Sequence, residues 1–228
     1  MQEAWAIREI NDEVIKISKQ LGVKNIIHYG GPGITENGEP IDNFNKYKDL
    51  NEKLKSENLN LVGVESGFFI DPFYWDVVTA GPKRDELIND LIIQIKDMAR
   101  AGVQMLGYTW MPLGPIRTEP KIIRGGSYGT AFDIKSNNLE LAGKNSIKIE
   151  HSNSFPINDI NFLTEEMLWQ NLEYWIKAVT PVAEEEGIRL GIHPDDPPVD
   201  NLGGVPRIMT SFDAFKRLIE IYPSDSNA

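Results

Sequence analysis

The chain has 228 residues, 41% hydrophobic and 25% charged, with 23 Lys+Arg against 34 Asp+Glu and a net charge of −11. That apolar fraction supports a packed core and excludes disorder, and the acidic balance lacks the basic footprint of a nucleic-acid binder. The absence of cysteine excludes disulfides, thiolate metal ligands and a cysteine nucleophile.

Residues 3–21 place Ile7, Ile10, Val14, Ile17 and Leu21 at steps of three and four, which predicts one amphipathic helix ended by Gly22. Val23 and Ile26-Ile27 follow as a strand near 25–29, which runs into Gly30-Gly31-Pro32-Gly33. That cluster has the wrong spacing for a Gly-x-Gly-x-x-Gly phosphate loop and reads as a turn. Tyr47, Leu50 and Leu54 mark a second helix, Asn58 its left-handed end, and Leu61-Val62-Gly63-Val64 a strand near 60–65. Leu87, Leu91, Ile95 and Met98 form the next stripe, with Gly102 after it and a strand near 104–109.

Residues 111–162 read as one long insertion rich in Gly, Ser and Asn. Leu168, Leu172, Ile176, Val179 and Ala183 then form a fourth stripe, closed by Gly187 and followed by a strand near 189–193. Ser211 caps a last helix expected to bury Phe212, Phe215, Leu218, Ile219 and Tyr222.

Alternating strands and helices without a dinucleotide fingerprint predict an α/β fold, a partial (β/α) TIM barrel. About four parallel strands carry outer helices, in one domain over residues 1–228 with the insertion after strand three. A closed barrel needs eight strands and about 250 residues, so the chain is expected to be the N-terminal portion of a longer protein. The charged start shows no signal peptide, and no apolar run is long enough to span a bilayer, which points to the cytoplasm.

In such a barrel the chemistry lies at the C-terminal strand ends. Alternation sets Gly191 and His193 opposite Leu190 and Ile192, so His193 should point into the mouth. There it could ligate a divalent metal, oriented by a carboxylate such as Asp195 or Asp196, or it could be a hydrogen-bonded structural histidine. By the same parity Leu61, Gly63 and Glu65 share a face opposite Val62 and Val64. Glu65 suits metal binding, orientation of a base, recognition of a polyol, or a structural ion pair. Tyr108 belongs to an aromatic rim that serves either the core or a substrate wall. Arg117 is either a bidentate carboxylate clamp or a solvated surface charge. His28 and His151 have no partner at ligand spacing and read as structural or exposed.

His193-Pro-Asp-Asp-Pro-Pro198, followed by Leu202-Gly-Gly-Val-Pro-Arg-Ile208, resembles the mannonate dehydratase family. Val64-Glu-Ser66, Tyr108-Thr-Trp-Met-Pro112 with Arg117-Thr118, and Glu166-Met-Leu-Trp-Gln-Asn-Leu-Glu-Tyr174 agree with it. The resemblance runs through nearly the whole chain but covers only the N-terminal part of the family's length. It implies a xylose-isomerase-like TIM barrel that dehydrates D-mannonate to 2-keto-3-deoxy-D-gluconate in hexuronate breakdown, with Mn²⁺ or Fe²⁺. It implies His193 as one metal ligand, and the expected substrate contacts beside it are Glu65, Tyr108, Arg117 and Arg207. The family's other metal ligands and its acid/base pair are expected beyond residue 228, so this stretch alone should be inactive. Ile116, where an aromatic is common, and the glycines after Arg124 depart from the pattern.

The expected partners are a small sugar acid and, at full length, further copies of the chain; neither nucleic acid nor membrane is expected. Two other readings stand beside the dehydratase. One is a metal-dependent sugar isomerase or epimerase on the same barrel, the other a non-catalytic sugar-acid-binding relative.

Overall fold

A computed structural model describes residues 3–30, 42–66, 69, 72–135, 160, 162–202 and 204–228. Five strands form the main sheet: β1 (Ala4–Ile7), β2 (Asn25–Tyr29), β3 (Asn60–Ser66), β4 (Met105–Thr109) and β7 (Arg189–His193). They pair in the order β1-β2-β3-β4-β7, every pair parallel. The four expected strands are thus adjacent, parallel and in chain order, and β1 is a fifth. Among the described residues the order never reverses, so these strands show no switch point of the doubly wound kind. Right-handed crossovers then stack all the helices on one face, as in part of a (β/α) barrel.

The helices between these strands are α1 (Asp12–Leu21), α2 (Asn43–Ser56), α3 (Trp75–Thr79), α4 (Arg84–Arg100) and α5 (Glu165–Glu186), with α6 (Phe212–Ile221) last. Gly22, Gly102 and Gly187 have φ of 74°, 85° and 70°, and Asn58 has 61°, so each expected helix end takes the left-handed conformation. The stripes on α4 and α5 are buried as expected, from Leu87 to Met98 and from Leu168 to Ala183. They pack against Val64, Leu106 and Leu190, register partners across three strands that are all buried. Truncating such a residue to alanine costs about 2–5 kcal/mol.

Four expectations need correction. Residues 3–21 are not one helix: Ala4–Ile7 is β1, and α1 begins after Asn11, whose side chain accepts from Val14 N–H. The 111–162 segment is more than a loop, since β5 (Thr118–Ile122) and β6 (Tyr128–Ala131) pair antiparallel around the Arg124–Gly126 turn. Strict alternation fails in β3, because the register steps from Ile26↔Leu61 to Ile27↔Gly63 and leaves Val62 as an extra residue. On α6, Ser211 caps as expected and Leu218 is buried, but Phe212 is 85% exposed and Ile219 is exposed too.

A short hairpin of β8 (Asn201–Leu202) and β9 (Val205–Pro206) follows β7. The far edge of β7 is also engaged: Leu190 N–H donates to Ser226 O (2.9 Å) and Ala228 N–H to Leu190 O (2.9 Å). No helix among the described residues is long and apolar enough to cross a membrane. Gly31, Pro32, Gly33 and His151, singled out above, lie outside the described residues.

Candidate functional site

The sheet has two unlike faces. The helix face carries the buried row Val64, Leu106 and Leu190, whereas the next row, Tyr29, Glu65, Gly107 and Gly191, is half-buried throughout. This second row lies on the inner face, toward the C-terminal strand ends. One step higher Thr109 pairs with His193. The inner face therefore carries polar side chains and glycines where the helix face carries aliphatic ones.

His193 ends β7 opposite buried Ile192, as alternation requires. Its Nδ1 lies 2.6 Å from the Pro194 carbonyl oxygen. A carbonyl can only accept, so Nδ1 carries a proton, which in the neutral ring leaves the lone pair on Nε2. That is the tautomer a metal-ligating or base histidine needs.

Glu65 keeps its place despite the bulge at Val62, because the step in register precedes Gly63. The glycine at 107 matters here: a Cβ at that position would stand 3.2 Å from Glu65 Cγ. Beside Glu65 lies Tyr29, which sequence reasoning missed. Burial, then the charge of the Glu65 carboxylate and a hydrogen bond to it, push the Tyr29 hydroxyl above its usual range. Arg8, just past β1, sits 5.7 Å from the centre of the Tyr29 ring and works against that shift. Alternation from Ile26, buried on the helix face, would have placed Tyr29 inside.

Arg117 and Asp196 form an ion pair whose side chains are 34% and 33% exposed. Ile116 N–H donates to Asp196 O (3.1 Å), so the segment after β4 is stitched to the segment after β7. Arg117 thus already holds a carboxylate at the mouth, on the His193 side.

Three expected site residues are elsewhere. Tyr108 is 0% exposed and lies on the helix face, its ring 4.5 Å from that of Trp175, so it cannot form a substrate wall. Arg207 is buried: Nη1 donates to Asp195 Oδ1 (3.1 Å) and Nη2 to Gly114 O (2.8 Å). Asp195 Oδ2 accepts from Met209 N–H (2.7 Å). These two residues brace the loops under the mouth rather than meet a ligand, and neither Asp195 nor Asp196 is the partner of the His193 ring.

Among the described residues no three His, Asp or Glu side chains converge to hold a metal ion. His193 offers one nitrogen, and the residues present do not fit a complete metal centre.

The D-mannonate dehydratase (UxuA) family model matches residues 5–228. A mannonate dehydratase from Streptococcus pneumoniae (strain 70585) is 33% identical over 199 residues, 82% of this chain and 52% of its own length. Another from Streptococcus suis (strain 05ZYH33) is 32% identical with the same coverage. The chain spans about half the length of these curated relatives. The crystal structure of mannonate dehydratase from Streptococcus suis serotype 2 superposes with a TM-score of 0.80 at 28% identity, over 100% of this chain and 61% of that one. The 3-keto-D-glucoside 4-epimerase of E. coli, at 10% identity and TM-score 0.53 over 96% of this chain and 64% of its own, shares the fold alone. Family match and fold agree with the reading of the strand ends: this chain belongs to the D-mannonate dehydratase family.

Proposed function

We propose that the intact protein is a hydro-lyase of the cytoplasm that dehydrates D-mannonate to 2-keto-3-deoxy-D-gluconate in hexuronate breakdown. The observation that carries this reading is the family match, which runs through every main-sheet strand end of this chain. The electrostatics support it. Arg117 stands with His193 on one side, and the Glu65 carboxylate lies on the other. A hydroxy acid fits that polarity with its carboxylate toward Arg117 and its hydroxyl tail toward Glu65, since a carboxylate beside Glu65 would be repelled.

The reaction removes a proton from the carbon next to a carboxylate and expels the 3-hydroxyl, which needs positive charge near the carboxylate and a proton donor at the leaving oxygen. Arg117 supplies the first by leaving Asp196 for the substrate. A divalent metal, Mn²⁺ or Fe²⁺, would take His193 Nε2 as one ligand. The rest of its ligands and the proton-transfer groups would come from the part of the family's length that this chain does not span. Incubating the intact protein with D-mannonate and identifying the product by mass spectrometry tests the proposal. Loss of one water to a 2-keto-3-deoxy acid is expected, and an isomer of unchanged mass would overturn it.

A further inference from the structure

Gly107 and Gly191 are register partners on neighbouring strands, in the same row as Tyr29 and Glu65. Neither has the positive φ that would demand glycine. A Cβ at Gly191 would meet nothing within 4 Å, so no neighbour among the described residues requires glycine there either. Glycine inside a strand weakens it, and without a conformational reason it marks a close approach by something else.

A second observation points to what approaches. Thr109 follows Gly107 by two residues and so projects from the same face, directly beside His193 in register. It is only 5% exposed, and among the described residues its hydroxyl has no hydrogen-bond partner. A buried hydroxyl left unpaired is unfavourable unless a bound group completes it.

We infer that Gly107 and Gly191 form the floor of a groove that takes the carbon chain of an acyclic polyhydroxy acid, with the Thr109 hydroxyl binding one of its oxygens. The inference rests on the sugar-acid reading above and adds three residues to it. Two strand spacings, about 10 Å, separate β3 from β7, a span comparable with an extended six-carbon sugar acid. Glu65 marks one end of the floor and His193 with Thr109 the other. Side chains at 107 or 191 would lift the ligand off the strands.

The test uses the intact protein with Gly191→Ala and Thr109→Val, reading KM and kcat for D-mannonate, calorimetric affinity for D-mannonate and D-gluconate, and the melting temperature without ligand. Gly191→Ala is expected to weaken binding and raise KM roughly 10- to 200-fold, the range for one methyl group too many in a fitted site. Its melting temperature should stay near that of the parent. Thr109→Val should weaken binding while leaving the melting temperature unchanged or raised, because it removes an unpaired buried hydroxyl.

Unaltered affinity in both variants would overturn the inference. So would a melting temperature several degrees lower for Gly191→Ala, which would mean that other barrel side chains pack on the glycines. If the parent binds these acids but yields no dehydrated product, the lyase reading fails while the affinities still decide the floor. A parent that binds neither acid overturns both.

Discussion

Arg207 and Asp195 pair at 3.1 Å with both side chains 1% exposed. Burial pushes the Asp195 carboxyl up and the Arg207 guanidinium down, and each partner's charge opposes the other's shift. Their bonds to Gly114 O and Met209 N–H join the segment after β4 to the one after β9. Two charges in the most distinctive part of the sequence are therefore spent on each other.

Removing one of them should be severe. Arg207→Met leaves Asp195 buried and unpaired, and a loss of about 3–5 kcal/mol is expected in urea unfolding. The double variant Asp195→Asn with Arg207→Met should recover much of it, because the amide oxygen can still accept from Met209 N–H. A loss under about 1 kcal/mol for the single variant would place the pair among surface bridges instead.

Arg117 is a different case, because its pair with Asp196 is one-third exposed and can open. If the guanidinium transfers to the substrate carboxylate, Arg117→Ala should cost about 1.5–3 kcal/mol of sugar-acid binding, the range for hydrogen bonds to charged groups. Asp196→Asn should do the reverse and tighten binding by freeing the arginine. Calorimetric titration measures both, and equal affinities for the two variants and the parent would confine the pair to bracing the loops.

His28 has a pKa below its usual 6.5, first through burial and then through the nearby Lys46 charge. A lowered histidine pKa stabilises the fold above the unfolded value and loses that contribution as pH falls through the folded one. Unfolding curves recorded downward from about pH 7 should thus show the parent losing stability faster than His28→Asn below about 6.5. Parallel curves would mean that protonation of His28 is not linked to folding.

Much of this was legible along the chain, because aliphatic stripes and the left-handed residues after them are local signals. Gly22, Asn58, Gly102 and Gly187 all sit where the helices end. The misses have physical reasons. Ile7 falls on the helical stripe by coincidence, although Asn11 with Asp12 and Glu13 after it already had the form of a cap and an acidic first turn. Val62 is an extra residue visible only through pairing with β2. Tyr108 was legible and misread: counting on from buried Leu106 sends it to the helices and Thr109 inward, the same parity that sets His193 opposite buried Leu190 and Ile192. The fates of Arg207 and Asp195 depend on a contact between loops, which no local pattern encodes. Phe212, just past the cap of α6, stays 85% exposed among the described residues.

The most direct test of the site is His193→Ala in the intact protein, with metal content, turnover of D-mannonate and the melting curve measured on one preparation. A mouth-facing imidazole held through Nδ1 contributes little core burial, so metal content and turnover should fall together while the melting temperature of the metal-free protein holds. Full metal occupancy with near-normal turnover, or a lowered melting temperature with metal binding unchanged, would contradict the account.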